Sequence, residues 1–200
     1  MTSISVDLAS AALLAAFLAY LIGSIPAAAL ISKLRGVDIF SVGTGQAGAT
    51  NVVRTVGALE GFVVMWVDII KGMIAIGVAY RLGIHAEWIL LPALGVIAGH
   101  WKSIFTHFRG GDGVSTLVGI TVAILSMYGL IAVLVGLGLT LLVRQVRLPV
   151  PTLWGGIACY SILLARLPGS DQNPTIVVGL VLVSLLVLAH GVKGHRSRAT

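Results

Sequence analysis

The stretch Thr44-Gly45-Gln46-Ala47-Gly48-Ala49-Thr50-Asn51 offers chemistry through its backbone. With no bulky side chain in the way, its N–H groups can approach an oxygen-rich anion, and its glycines permit the φ > 0 conformations from which anion nests are built. A short helix starting near Thr50 would add partial positive charge, and Arg54, four residues on, would share a face with Thr50. A planar guanidinium suits two-pronged recognition of phosphate. A second stretch, "GHWKSIFTHFRGGDGVST", repeats the design. There Arg109-Gly110-Gly111-Asp112-Gly113 opens onto an apolar helix, and His100 stands ahead of it as a general base or a hydrogen-bond donor. The spacing is not that of a P-loop, which would end in Lys-Ser or Lys-Thr.

Three further residues, Asp68, Lys71 and Ser24, are candidates for a supporting role. Asp68 and Lys71, in "VDIIKG", are ionisable residues inside an apolar run, spaced i,i+3 on one helix face so that each can neutralise the other. Gly23-Ser24-Ile25-Pro26 is a kink signal, because Pro26 removes a backbone donor and Ser24 can satisfy a freed group. A bend there would give an acyl chain a lateral entry. Each of these features also has a plainer reading. Glycines allow close helix packing, a buried ion pair pins a bundle, and a histidine at the end of a span can be an interfacial residue. No set of His, Asp, Glu or Cys has metal-ligand spacing, so neither a metal nor another cofactor is expected.

What must position these residues is set by composition. The chain of 200 residues is 58% hydrophobic and only 10% charged, with mean hydropathy +1.05. A soluble fold of this size covers its core with roughly a quarter charged residues, so the solvent here is lipid and the fold class is an all-α, polytopic membrane helix bundle. The formal charge of +6 does not indicate nucleic acid, because the basic residues are scattered between apolar spans with almost no interleaved aromatics. The single cysteine, Cys159, excludes a disulfide framework. The first apolar run has no basic lead-in and continues into Gly-Ser-Ile-Pro, so it reads as a retained span rather than a cleaved signal.

A bilayer core takes about 20 helical residues. On that ruler seven helices fall at about 8–32, 60–80, 86–101, 113–127, 128–143, 151–166 and 174–192, or six if 113–143 is one unit kinked near Tyr128-Gly129. They make one transmembrane domain over residues 1–200. With the N-terminus outside, the inner side carries Lys33, Arg35, Arg54, Lys102, Arg109, Arg144, Arg147, Lys193, Arg196 and Arg198, against Arg81 and Arg166 outside. That asymmetry orients the chain and places the C-terminus in the cytoplasm. Both glycine-rich loops, Gly36 to Glu60 and Gly99 to Gly113, then lie on the cytoplasmic face and can build one site.

These segments, in this order and with a basic tail containing His190, resemble the integral-membrane acyl-phosphate:glycerol-3-phosphate acyltransferases of bacteria. The likeness covers roughly residues 20 to 120, and Gly-Ala-Thr-Asn-x-x-Arg together with Asp-x-x-Lys-Gly is its specific part. The resemblance implies a seven-span enzyme of the bacterial inner membrane acting in phospholipid synthesis. It would transfer an acyl group from acyl phosphate to the 1-hydroxyl of glycerol 3-phosphate, releasing lysophosphatidic acid and phosphate, with no metal, cofactor or acyl-enzyme. It also implies that Thr44 and Arg54 hold substrate phosphate within the Gly45, Gln46, Gly48 and Thr50 turn, that Asn51 orders that turn, and that Arg109 with Gly110 and Gly111 completes the cradle. His100 and His190 would be polar contacts.

The chain departs from the family pattern at identifiable places. Thr44-Gly45-Gln46 stands where Ser-Gly-Asn is usual, and Arg109-Gly110-Gly111-Asp112-Gly113 where Lys-Gly-Gly-Lys-Gly is usual. Asp112 would repel an anion unless it turns away or pairs with Arg109 or Lys102. The tail "HGVKGHRSRAT" lacks the family's Asn and Glu. Two competing readings follow: a diverged relative that binds lipid or anion without turnover, and a transporter of small phosphorylated anions. The transporter reading calls for broken helices in matching halves.

Overall fold

The computed structural model describes residues 2–145 and 173–196, and every regular element in them is helical. The elements are α1 (Thr2–Gly23), α2 (Ala27–Leu34), α3 (Ala49–Thr55), α4 (Ala58–Arg81), α5 (Leu90–Trp101), α6 (Val114–Gln145) and α7 (Pro174–Arg196), with 3-10 turns at Ala86–Ile89 and Ile104–Thr106. Five stretches of the described residues are long and apolar enough to cross a membrane: Asp7–Leu34, Ala58–Arg81, Ala86–Thr106, Val114–Gly138 and Pro174–Gly191.

The count of seven is therefore not reproduced among the described residues. The expected spans at 113–127 and 128–143 are both present as the two helical arms of α6, which meet at a turn at Ser126 (φ 50°, ψ −122°), within two residues of the expected division. The turn is sharp. In a straight helix residues 121 and 129 would stand about 12 Å apart, whereas a Cβ added at Gly129 would touch the Thr121 carbonyl. Thr121 also donates its hydroxyl back to Leu117 O at 2.9 Å, a bond that favours bending. The expected span at 151–166, with Cys159, lies outside the described residues.

The first span breaks where the sequence signals it. Pro26 has no N–H and disfavours the α conformation at Ile25, so α1 stops at Gly23 and the chain restarts as α2 at Ala27. Lipid cannot satisfy the carbonyls this frees. Ser103 Oγ donates to Ser24 O at 2.5 Å, and Lys71 Nζ to Ile25 O at 3.3 Å, so side chains of two other spans take them up.

Small residues bring the helices close enough for this. A side chain at Gly95 or Gly99 of α5 would strike the backbone of α1 at Ala16 or Tyr20, and one at Gly72 of α4 would strike α6 at Thr116. Buried Ala12, Ala15 and Ala19 continue the α1 side of that seam, the small-residue packing that stands in for a hydrophobic drive between helices in lipid. Beneath the first glycine-rich loop lies a separate small core of Ile39, Val52 and Val64. An ion pair between Arg35 and Glu60 closes that loop at its two ends.

Candidate functional site

Asn51 is the centre of the first loop. Buried at the start of α3, it shares the two N–H groups of Nδ2 among Ile39 O (3.2 Å), Val42 O (3.1 Å) and Gln46 O (3.0 Å), and its Oδ1 accepts from Thr44 N at 3.0 Å. One amide thus serves four backbone groups spread over residues 39–46. Gly45 takes φ +62°, which a side chain would disfavour, and its N–H closes a turn onto Val42 O at 2.9 Å. Gly48 is the extended residue from which α3 starts.

The second loop is shaped by its surroundings. Ser103 caps the Ile104–Thr106 turn by accepting from Phe105 N, and His107 and Phe108 then take left-handed φ values of 54° and 60°. These are costly for residues with side chains. The strand of chain that follows is pinned at Gly111 N, which donates to His100 O at 3.3 Å, and at Asp112 O, which accepts from the Trp101 indole at 2.9 Å. Trp101 is itself stacked on His190 of α7, with ring centres 4.3 Å apart and planes 12° from parallel. Gly110 and Gly111 pass so near the end of α5 that a side chain would collide with the His100 and Ala47 carbonyls respectively.

The two loops meet. Ala47 N donates to Gly110 O at 3.1 Å, and Gln46 Nε2 donates to Asp112 Oδ1 at 2.6 Å. Arg109 reaches back to the first loop, donating to Phe40 O at 3.2 Å with its guanidinium 4.2 Å above the Phe40 ring. Asp112 therefore finds a neutral amide donor in Gln46, where the sequence suggested Arg109 or Lys102 as the alternative to turning away.

Beneath this junction lies a cleft whose empty volume, open solvent included, is about 230 Å³. Arg109, Gly110 and Ala47 of the two loops line it together with Ser24, Ile25 and Pro26 of the broken first span. Lys71, Asp68 and His100 also line it. Lys71 Nζ lies 2.6 Å from Asp68 Oδ1, and both side chains are buried. The pair is neutral as a unit, so the cleft keeps an ammonium at membrane depth without a net buried charge. His100 turns Nδ1 toward Thr116 Oγ1 (3.3 Å) and Asp68 Oδ1 (3.7 Å), while Nε2 lies against Gly111.

Residues weighted most heavily in the sequence do not all gather here. Arg109, His100 and Gly110 line the cleft, as do Ser24, Asp68 and Lys71, which the sequence suggested only as supports. Thr50 and Arg54 are exposed on α3, whose inward face is Asn51 and Val52. Thr44, Asn51 and Gln46 shape the loop rather than line the cleft, and His190 stacks on Trp101 beside it. Ser103, Trp101, Thr116 and Phe40 were missed. Their one sequence signal is adjacency: Trp101 and Ser103 follow His100, and Thr116 follows the Arg109–Gly113 turn.

Residues 13–199 match the family model described as glycerol-3-phosphate acyltransferase. Among curated relatives, glycerol-3-phosphate acyltransferase 1 of Deinococcus radiodurans is 39% identical over 179 residues, covering 90% of this chain and 88% of its own. The glycerol-3-phosphate acyltransferase of Thermus thermophilus is 41% identical over 157 residues, covering 78% and 77%. Among solved structures, the glycerol 3-phosphate form of PlsY, an integral membrane glycerol 3-phosphate acyltransferase, superposes with a TM-score of 0.75 at 30% identity, covering 94% of this chain and 90% of that one. Its lysophosphatidic acid form superposes with a TM-score of 0.72 at 29% identity, covering 94% and 89%.

Proposed function

We propose, because the chain belongs to the glycerol-3-phosphate acyltransferase family, that this integral membrane enzyme moves a fatty acyl group from acyl phosphate to the 1-hydroxyl of glycerol 3-phosphate. The products are lysophosphatidic acid and inorganic phosphate. It acts as one domain over residues 1–200 in the bacterial inner membrane, with the N-terminus outside and both glycine-rich loops in the cytoplasm, the orientation favoured by the basic residues. The observation that carries the reading is the union of the two loops, through Ala47 with Gly110 and Gln46 with Asp112, over a cleft lined by both Arg109 and Lys71.

The chemistry is direct transfer. The glycerol oxygen attacks the acyl carbonyl, the new ester C–O bond forms, and the bond from the acyl carbon to the phosphate oxygen breaks, releasing phosphate. The hydroxyl proton passes to a phosphate oxygen of a substrate. Arg109 and the loop N–H groups stabilise charge on the carbonyl oxygen and the leaving phosphate. Fixing two anionic substrates side by side lowers much of the remaining barrier. Arg54, exposed on α3, and Thr44 are assigned to substrate phosphate, and His100 to a polar contact at Gly111.

The test is reconstitution into lipid vesicles with palmitoyl phosphate and glycerol 3-phosphate, following lysophosphatidic acid and phosphate. Stoichiometric appearance of both is expected. Glycerol 3-phosphate binding without turnover in the same preparation would instead identify a noncatalytic relative, and uptake of the anion without transfer a transporter.

A further inference from the structure

Among the described residues, two buried side-chain oxygens have no hydrogen-bond partner, Ser24 Oγ and Ser32 Oγ. A hydroxyl left unpaired in a protein interior is unfavourable, and more so at membrane depth. The two differ in place. Ser32 sits in α2 and is not part of the cleft wall, whereas Ser24 lines the cleft at the break of the first span. The groups around Ser24 are already committed: Ser103 Oγ bonds the Ser24 carbonyl, and Lys71 spends two of its three N–H donors on Asp68 Oδ1 and Ile25 O. The lining of the cleft thus carries an unspent hydroxyl at Ser24 and an unspent ammonium donor at Lys71, whose Nζ bonds the carbonyl of the next residue, Ile25.

We propose that the Ser24 hydroxyl, together with the remaining donor of Lys71, binds an oxygen on the head of the acyl donor. The inference rests on the acyl-phosphate reading above and assigns one of its two substrates to a place. Ile25, the next residue, lines the same cleft and is 43% exposed, so it forms an apolar lip where the first span faces lipid. A substrate that must keep its chain in the bilayer while its head enters the cleft passes that lip. Glycerol 3-phosphate, polar throughout, fits beside Arg109. A ligand oxygen between Ser24 and Lys71 gives both donors the acceptor they lack, which no contact within the described residues does.

Three proteins in vesicles decide it: the parent, Ser24→Ala and Ser32→Ala, each assayed with palmitoyl phosphate and glycerol 3-phosphate varied separately and each melted in detergent. Ser24→Ala is expected to lower kcat/KM for palmitoyl phosphate about 10- to 100-fold, the loss of a bond to a charged or polarised oxygen. The KM for glycerol 3-phosphate should stay within about twofold and the melting temperature hold or rise, since the hydroxyl makes no internal bond. Ser32→Ala should change neither constant, and Ser24→Cys, a weaker donor of similar shape, should fall between parent and Ser24→Ala. Matching kinetics for the two alanine variants overturn the proposal. So does a Ser24→Ala that loses stability and raises both KM values together. A parent that makes no lysophosphatidic acid overturns the acyltransferase reading itself, a result distinct from an active parent indifferent to Ser24.

Discussion

The two glycine-rich loops look alike in sequence and are held in opposite ways. The first carries its own scaffold: one asparagine gathers four backbone groups, and Ile39, Val52 and Val64 form a small core beneath. The second builds a turn of its own over Ser103–Arg109, closed by Phe108 N on Ser103 O and by Arg109 N on Thr106 O, but its Gly110–Gly113 arm is held from outside. It takes strained φ values at His107 and Phe108 and is fixed by the end of α5, by the indole of Trp101 and by the first loop. A segment rich in glycine can thus be rigid from within or rigid by contact. Only a loop held by contact registers the state of its neighbours.

If that contrast is right, Asn51→Ala does the greatest damage. It takes the Asn51 amide from the Ile39 and Gln46 carbonyls and from Thr44 N, while Val42 O keeps its bond from Gly45 N, so about 3 kcal/mol or more of stability should be lost along with measurable acyl transfer, read by thermal unfolding and product formation. Asn51→Asp sharpens the point, because it keeps the acceptor for Thr44 N and loses the three donations. Lys71→Met comes next: it takes the ammonium from Asp68, leaving that carboxyl in the interior with the His100 ring at 3.7 Å, and should cost about 3 kcal/mol. The double variant Asp68→Asn with Lys71→Met should recover much of that stability without recovering activity.

Arg109→Ala is expected to spare stability, because its side chain is exposed, while lowering kcat/KM for glycerol 3-phosphate about 100-fold or more if it stabilises developing charge. Arg54→Ala, assayed alongside, should show a comparable loss confined to KM, and full activity would remove Arg54 from the substrate-phosphate role. The smallest effect is expected from Gln46→Ala, about 10-fold or less on the KM of the anionic substrates, because Asp112 loses its amide partner. Adding Asp112→Asn should restore it. An unchanged KM in Gln46→Ala would mean that the contact between the loops rests on Ala47 with Gly110 and Arg109 with Phe40.

Much of the architecture was legible because bilayer thickness fixes the length of an apolar run and Pro26 announces its own break. The division expected between residues 127 and 128 falls within two residues of the turn at Ser126, and the missing side chain of Gly129 lets the chain pass Thr121 there. At the site, residue types were readable and partnerships were not. That Asp112 meets Gln46, two positions where the chain departs from its family's usual residues, depends on how loops from different spans dock, and no local pattern encodes it. Nor does an i,i+3 spacing disclose that Lys71 also serves the Ile25 carbonyl 46 positions earlier.

The broken first span has a consequence for biogenesis. Its Ser24 carbonyl is satisfied by Ser103, and its Ile25 carbonyl, held locally by Ala27 N, gains a second donor in Lys71; both side chains emerge from the ribosome later. Until those segments integrate, the nascent first helix either stays at the translocon, where water reaches the gap, or carries an exposed acceptor into hydrocarbon at a cost of several kcal/mol. A chain truncated after α4 would therefore lack the Ser103 hydroxyl and be an early target for membrane quality control.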